Sequence, residues 1–310
     1  MRHVVPEVTW SIMKEPHARR ALATVAISGL LAAGLAAGGQ SAAASPGQDV
    51  VSLRDQTAFE LASTLVGRNV TLRSARFVGQ PFQAGTYSGV EVGDLDADGV
   101  VLSTGSVVDA DPDSDDDVDF TRSSLLGPNA SLTTTGDLGG AGDRRLTRLF
   151  ETSTYDAAVL VMQVVPRGRV LRLTYALGSE EYAVWQERGY SDAFAIWVGG
   201  APCSYVPSTR VLVGTDTVNA DTNRRYYEAN FAANDPGAGD YDTELNAFTW
   251  SLTCTARVTP GQRVAVRIAV ADTGDGQLDT AALIAADSLR STRVPARALA
   301  PAARLARPLP

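Results

Sequence analysis

Carboxylate side chains gather at the ends of several predicted strands. Their types and spacing make them the strongest candidates in the sequence for a functional site. Two adjacent glutamates follow the run Val170–Leu177, an aspartate precedes the run Ala193–Val198, and three aspartates surround a glycine-containing turn near the end of the chain. These residues are Glu180, Glu181, Asp192, Asp272, Asp275 and Asp279. Because adjacent residues of a strand point to opposite faces, only one of the two glutamates is expected to face inward if the strand continues.

Crowded carboxylates can pair with arginine, take up a proton, or share a hard cation with carbonyl and water oxygens. Outside the cell Ca²⁺ is the natural cation for all-oxygen sites, and its flexible coordination suits ligands from separate loops. The six carboxylates therefore predict a calcium site. The alternative is a structural network in which Glu180, Glu181 and Asp272 bond to turn amides and arginines.

A second acidic motif, Asp94-Leu-Asp96-Ala-Asp98-Gly99, begins like a D-x-D-x-D-G calcium loop. Its twelfth position is Gly105, whereas an EF-hand has a bidentate glutamate there. The motif is better interpreted as an acidic turn between strands.

The distribution of basic residues excludes several classes of site. Both histidines, His3 and His17, and the single lysine, Lys14, precede residue 21. The remaining chain therefore lacks the residues for a Ser-His-Asp relay, a histidine-ligated metal, a lysine Schiff base or a phosphate-binding lysine. The formal net charge of −8 argues against nucleic acid as a partner.

The first 44 residues have the features of a secretory signal peptide. Two arginines precede the apolar run Ala21–Ala37, and small residues ending at Ala44 supply a cleavage signature. A membrane helix needs about 20 strongly apolar residues, and this run is short and alanine-rich. We expect a secreted, extracellular protein with no transmembrane anchor after cleavage. The export route, general or twin-arginine, and the start codon, Met1 or Met13, stay open.

The two cysteines agree with export. Cys203 and Cys254 both follow the predicted cleavage site, and an even number of cysteines in an oxidising compartment favours a disulfide. The alternative is a pair of buried free thiols, because spacing alone does not bring two side chains together.

One short helix and then many strands are expected after the signal peptide. Apolar residues of Asp55–Val66 recur at near-helical spacing. Beyond them, short runs rich in Val, Ile, Thr and aromatic residues are separated by Gly, Pro, Asn and Asp, which is typical of an antiparallel sandwich. The runs are Val70–Phe77, Val100–Ser103, Ala157–Val165, Val170–Leu177, Ala193–Val198, Phe248–Val258, Val264–Ala271 and Ala281–Ala286. The predicted fold class is all-β, a jelly-roll-like antiparallel β-sandwich with one short N-terminal helix.

Alternation is clear in Val264–Val270, so this strand is expected to have one dry face and one face open to water. Three segments fall outside the strand pattern: the aspartate-rich run 109–119, the Gly/Thr-rich loop 127–143 and the Ala/Pro/Arg tail 293–310. The predicted organisation is a signal peptide (1–44), a sandwich domain (45–290) and a disordered tail (291–310).

Several of these motifs, in this order, resemble the choice-of-anchor L domain family. They are Val101-Leu-Ser-Thr-Gly105, Ala157–Val165 with Pro166-Arg-Gly, Leu171–Tyr182 with its Ser-Glu-Glu-Tyr element, Ser191-Asp-Ala-Phe194, and Ala271-Asp-Thr-Gly-Asp275 with Asp279-Thr280. The similarity spans about residues 55–289. It implies an exported bacterial domain of the kind often found beside surface-anchoring devices, and it leaves the ligand unspecified. Members commonly have Asn-Asp where this chain has Ser191-Asp192, and acidic or aromatic residues where it has Leu160-Val-Met-Gln163.

The favoured function is a non-catalytic exported sandwich that acts in adhesion, cell-surface structure or binding of an extracellular protein or glycan. One alternative is a carbohydrate-binding module, which needs exposed aromatic rings for sugar stacking, although such rings also pack in cores. Its candidate residues are Trp185, Tyr190, Trp197, Tyr226 and Tyr227.

A further alternative is a glycoside hydrolase, because two carboxyl groups alone can perform that chemistry at defined separations. The candidates are Glu180, Glu181, Asp192 and Asp272. Adjacent acids on a strand diverge, which argues against such a pair, so we predict no catalytic residue and no enzyme.

Overall fold

A computed structural model describes residues 49–108, 137–182, 191–230, 241, 243, 245–274, 276 and 278–293. The predicted signal peptide, the aspartate-rich run and most of the C-terminal tail lie outside the described residues. So do three of the predicted site residues, Trp185, Tyr190 and Asp275.

The described chain is mainly β-structure with two short helices. In chain order the elements are β1 (Asp49–Ser52), α1 (Ala58–Thr64), β2 (Val70–Val78), β3 (Ala84–Ser88), β4 (Gly99–Ser103), α2 (Arg144–Phe150), β5 (Thr154–Pro166), β6 (Val170–Ser179), β7 (Ala193–Val198), β8 (Ala201–Pro202), β9 (Tyr227–Ala229), β10 (Ala247–Thr249), β11 (Leu252–Arg257), β12 (Val264–Thr273), β13 (Thr280–Ala285) and β14 (Arg290–Thr292). Single 3₁₀ turns occupy Pro81–Gln83 and Arg224–Tyr226.

Two antiparallel sheets are formed from these strands. The nine-stranded sheet has the order β1-β3-β4-β13-β6-β10-β9, with β11 and β14 also paired to β6. The five-stranded sheet has the order β2-β5-β12-β7-β8. The predicted all-β antiparallel sandwich is therefore confirmed.

The main core lies between the sheets because strand residues alternate between faces. From β6 it receives Leu171, Leu173, Tyr175 and Leu177, and from the five-stranded sheet it receives Leu160, Ile196 and Ile268. All of these side chains are at most 1% exposed. The two-residue period of each strand thus determines which alternate side chains lie between the sheets and hold them together.

Helix α2 covers the outer face of the five-stranded sheet. Its Leu146 is fully buried with Ala269 and Ala271 of β12. The expectation of a water-exposed face on this strand was therefore wrong at these two residues, because the helix that covers them was not predicted. Arg267, the charged residue of the same face, forms an ion pair with Asp143, the N-cap of α2.

The predicted strand Phe248–Val258 is two strands, β10 and β11. Between them the Trp250 amide donates to the Tyr226 carbonyl at 2.8 Å, and the Ser251 amide donates to Asp94 Oδ1 at 2.6 Å. The Trp250 bond continues the β10–β9 register, whereas the Ser251 amide bonds outside the sheet. On β6 the register shifts by one residue between the Phe248–Gly178 and Leu252–Tyr175 pairs, which interrupts the run.

The edges of the five-stranded sheet are irregular. At one edge β8 has two residues. At the other, the register of β2 on β5 shifts between Leu72 and Ser74, which leaves Arg73 as an extra residue in a bulge.

The predicted disulfide joins Cys203 to Cys254, with the two Cα atoms 4.9 Å apart. Cys203 follows β8 of the five-stranded sheet, and Cys254 lies in β11 of the nine-stranded sheet. The bridge is confirmed, and it ties one sheet of the sandwich to the other.

Candidate functional site

The ends of β6 and β13 bring Glu180 and Asp279 together. The Glu180 amide donates to the Asp279 carbonyl at 3.0 Å, and the Asp279 amide donates to Glu180 Oε2 at 2.7 Å. Thr104 also donates its hydroxyl to Asp279 Oδ1 at 3.4 Å. Through this reciprocal pairing Glu180 cross-links the ends of the neighbouring strands β6 and β13.

Glu181 is buried as well, although one inward glutamate was expected. Strand β6 ends at Ser179 and the chain turns at once, so the alternation of an extended strand does not apply. The Glu181 amide donates to Ser179 Oγ at 3.0 Å. Its Oε2 accepts from the Asp192 amide at 3.3 Å and from the Thr215 hydroxyl at 3.4 Å.

Asp192 lies at the start of β7, where it faces the neighbouring sheet. Its Oδ1 accepts from the Thr273 amide at 3.0 Å, and its Oδ2 accepts from the Thr280 hydroxyl at 2.6 Å. Thr273 belongs to the five-stranded sheet and Thr280 to the nine-stranded sheet. The Asp192 carboxyl group therefore links the two sheets at this end of the sandwich.

Asp272 lies beside Asp192. Ala271 pairs with Ala193 in the β12–β7 ladder, and continuing this register by one residue sets Asp272 opposite Asp192. The Asp272 side chain is 1% exposed, and its Oδ1 has no hydrogen-bond partner among the described residues. Burying a carboxylate oxygen without a hydrogen bond costs free energy of folding, and a proton or a cation bound at this atom would offset that cost.

Asp156 is a site residue that the sequence reasoning missed. Its Oδ2 accepts from the Leu138 amide at 2.9 Å, its Oδ1 accepts from the Gly140 amide, and its backbone has a φ of 45°. A positive φ at a non-glycine residue is uncommon and is held by its surroundings. Asp156 precedes the apolar run Ala157–Val165 as Asp192 precedes Ala193–Val198, and this shared position is the signal that would have revealed it.

We call the six carboxyl groups at this end of the sandwich the acidic cluster. Its members are Asp156, Glu180, Glu181, Asp192, Asp272 and Asp279, and each is at most 2% exposed. The backbone amides of the predicted structural network are present as donors. Among the described residues the arginines of that predicted network are not seen: the ion pair there is between Arg267 and Asp143, outside the cluster.

Burial and mutual repulsion make the charged form of the cluster costly. The pKa of Asp192 is raised well above its ordinary value, first by burial and then by Glu181. The pKa of Asp272 is also raised well above its ordinary value, by burial and then by Asp192. Burial is again the main cause of the raised pKa of Asp156. These groups therefore favour a proton or a bound cation over bare charge.

The packing around the cluster is close. A Cβ atom added at Gly105 would lie 1.7 Å from Asp279 Oδ2, so glycine is required there. Within the described ranges, no three Asp, Glu, His or Cys side chains are grouped so that they could hold a metal ion. Any cation at this site would use carbonyl, hydroxyl or water oxygens beside two carboxylates, or a residue outside those ranges.

The candidate aromatic residues are partly accounted for. Trp197 is 3% exposed, and the guanidinium carbons of Arg145 and Arg267 lie 5.0 and 5.9 Å from its ring centre. Arg225 lies 4.6 Å from the ring centre of Tyr226. The Trp197 ring is thus covered by protein groups and stacks with cations of its own chain.

In the part of the chain that the structure describes, no helix is both long and apolar enough to cross a membrane. No curated protein and no solved structure matches the chain significantly. The sequence profile of the choice-of-anchor L domain matches residues 51–290, which is most of the chain and includes every member of the acidic cluster. The chain therefore belongs to the choice-of-anchor L domain family and is a surface-associated bacterial domain.

Proposed function

We propose that this chain is a non-catalytic exported domain that acts outside the cell in adhesion or in binding an extracellular ligand. Membership of a surface-associated family supports an exported location. The Cys203–Cys254 disulfide supports it too, since such bonds form and persist in oxidising compartments. The predicted signal peptide at residues 1–44 agrees with both.

The observation that carries the non-catalytic role is the burial of the acidic cluster. A glycosidase needs two carboxyl groups in contact with the substrate, one to donate a proton and one to attack or to activate water. Glu180, Glu181, Asp192 and Asp272 are at most 2% exposed, and the first three accept hydrogen bonds from backbone amides. Their role in this proposal is to hold the two sheets together.

Calcium completes the proposal. The Asp272 Oδ1 atom is buried and has no hydrogen-bond partner in the part of the chain that the structure describes, and the β12–β7 register, continued by one residue, sets Asp192 opposite it. The Thr280 hydroxyl contacts Asp192 Oδ2, and a hard cation takes such mixed oxygen ligands. A Ca²⁺ ion would offset the repulsion that now opposes the charged cluster. Asp275, also predicted as a ligand, lies outside the described residues.

Thermal unfolding of the full chain tests the calcium role, first with excess CaCl₂ and then with excess chelator. A ligand that binds only the folded state stabilises it by about 2.7 kcal/mol at a hundredfold excess over Kd. We expect calcium to raise the melting temperature of the wild type and to leave Asp272→Asn unaffected. Asp221→Asn removes an exposed carboxylate outside the cluster and is the matched control.

Two results would count against this proposal, one for each half of it. If calcium leaves the melting temperature unchanged, the cluster does not bind it and is stabilised by protonation and by backbone amides alone. Hydrolysis of any glycan by the purified chain, abolished by Glu180→Gln or Asp272→Asn in variants that still fold, would make the domain an enzyme.

A further inference from the structure

A polar groove lies on the outer face of the nine-stranded sheet, toward the opposite end of β6 from the acidic cluster. Its volume is about 440 Å³, and its lining includes residues of β6, β11 and β14. On β6 and β11 the residues that face the core are Leu171, Leu173 and Cys254. The alternate residues Arg172 and Thr253 therefore face outward, and both line the groove.

Two arginines lie directly opposite each other in this groove. Arg172 of β6 is the ladder partner of Arg290 of β14, and Thr255 of β11 is opposite Arg172 on its other side. Cβ atoms of directly opposed residues are about 5 Å apart, and like charges in that arrangement destabilise a sheet. Such a pair is unusual unless something else compensates for it.

Neither guanidinium group forms an ion pair with a carboxylate among the described residues, although Asp94 and Asp96 line the same groove. Both side chains are exposed. Arg290 Nε donates to the Asp287 carbonyl at 2.6 Å, which restrains the guanidinium at the groove. Two accessible cations held side by side present the donor pattern that recognises a carboxylate or a sulfate group.

The rest of the lining includes side chains that donate and accept hydrogen bonds. Thr174, Thr253 and Thr292 bring hydroxyls, and Asp94 and Asp96 bring carboxylates. The Asp94 carboxylate is held in place by the amide and the hydroxyl of Ser251, at 2.6 and 3.0 Å. The lining described here includes no aromatic ring, so a ligand would be held by hydrogen bonds rather than by stacking.

The geometry points to a binding site for an acidic sugar, whose oxyanion contacts Arg172 and Arg290 and whose hydroxyl groups contact the threonines and the two aspartates. The groove volume falls within the range of small-ligand sites, about 300–1,000 Å³. This inference rests on the proposed binding role and names its ligand class: glycans that carry uronate or sulfate groups.

Calorimetric titration of the full chain with digalacturonate tests the site. A sulfated disaccharide, neutral galactobiose and inorganic sulfate are titrated in parallel, with chelator present so that calcium does not bridge sugar and protein. We expect saturable binding of digalacturonate or of the sulfated sugar, and none of galactobiose. Loss of one charge-assisted contact should weaken binding about tenfold or more in Arg172→Ala and in Arg290→Ala.

Arg144→Ala is the matched control, because it removes one exposed arginine from α2 on the other sheet. It should bind like the wild type. Arg172→Ala should melt at or above the wild-type temperature without ligand, since it removes a like-charge contact. A large fall in its melting temperature would instead make Arg172 a structural residue and overturn the site.

The remaining outcomes separate this inference from the proposed function. The sugar site is overturned if neither acidic sugar binds. It is also overturned if Arg172→Ala and Arg290→Ala both bind the sugar as tightly as the wild type does. Either result leaves the non-catalytic role intact. Inorganic sulfate that binds as tightly as the sugars also overturns it, because the hydroxyl contacts would then contribute nothing. Shortened digalacturonate recovered after incubation overturns the proposed function, whereas intact sugar bound by the wild type supports both.

Discussion

Opening the Cys203–Cys254 disulfide should destabilise the domain by an amount that follows from its place in the chain. The bridge closes a loop with a sequence separation of 51. Confining a loop of that length in the unfolded state corresponds to about 4 kcal/mol in the chain-entropy model. For a domain of this size each kcal/mol moves the melting temperature by about 2–4 °C, so a fall of about 8–16 °C is expected.

The assay compares the oxidised wild type with the same protein fully reduced under unfolding conditions and then refolded in reductant. Only the cross-link differs between the two samples, so the lost volume of a substituted side chain does not enter. Urea titration gives the free energy of unfolding, and the Cys203→Ala/Cys254→Ala variant serves as a second route. A difference below about 1 kcal/mol by both routes would refute the idea that the bridge restrains the unfolded chain.

Three further perturbations probe the acidic cluster and the first helix. Because the pKa values of Asp192 and Asp272 are raised, the folded chain binds protons that the unfolded chain has released, so metal-free stability should fall as the pH rises above the ordinary aspartate value of 3.8. Asp272→Asn should flatten this slope in urea titrations run with chelator; an unchanged slope would contradict the assignment. Gly105→Ala should cost about 1–3 kcal/mol, measured in the same way, because the new Cβ meets Asp279. Thr57→Ala removes the hydroxyl that caps α1 and should cost about 1 kcal/mol; a neutral result would mean that α1 does not depend on its cap.

The strands were largely predictable, since their sequence period reports which face is buried. Strand β7 has the predicted bounds, Ala193–Val198, because Gly and Ser residues stop it on both sides. Helix α2 was not predicted, although its Leu146, Leu149 and Phe150 recur at helical spacing. Strands β8 and β9 are too short to show any period.

The acidic cluster was predictable only in part. Carboxylates at strand ends indicated a shared location. The turn after Ser179, however, buries Glu181 along with Glu180, and Glu181 is held there by contacts with Asp192 and Thr215, which are distant in the sequence. The groove on the nine-stranded sheet was not predicted at all. Arg172 and Arg290 are far apart in the sequence, and a ladder register between β6 and β14 is what makes them neighbours.

The irregular edges of the five-stranded sheet have a consequence for crowding. A long, regular edge strand offers unpaired amides and carbonyls to a neighbouring molecule and so promotes fibre growth. Here one edge is the two-residue β8, and the other is bent by the bulge at Arg73, which adds a positive charge. We expect many copies to stand side by side on a bacterial surface without polymerising through this sheet, and deletion of Arg73 should increase light scattering by concentrated samples.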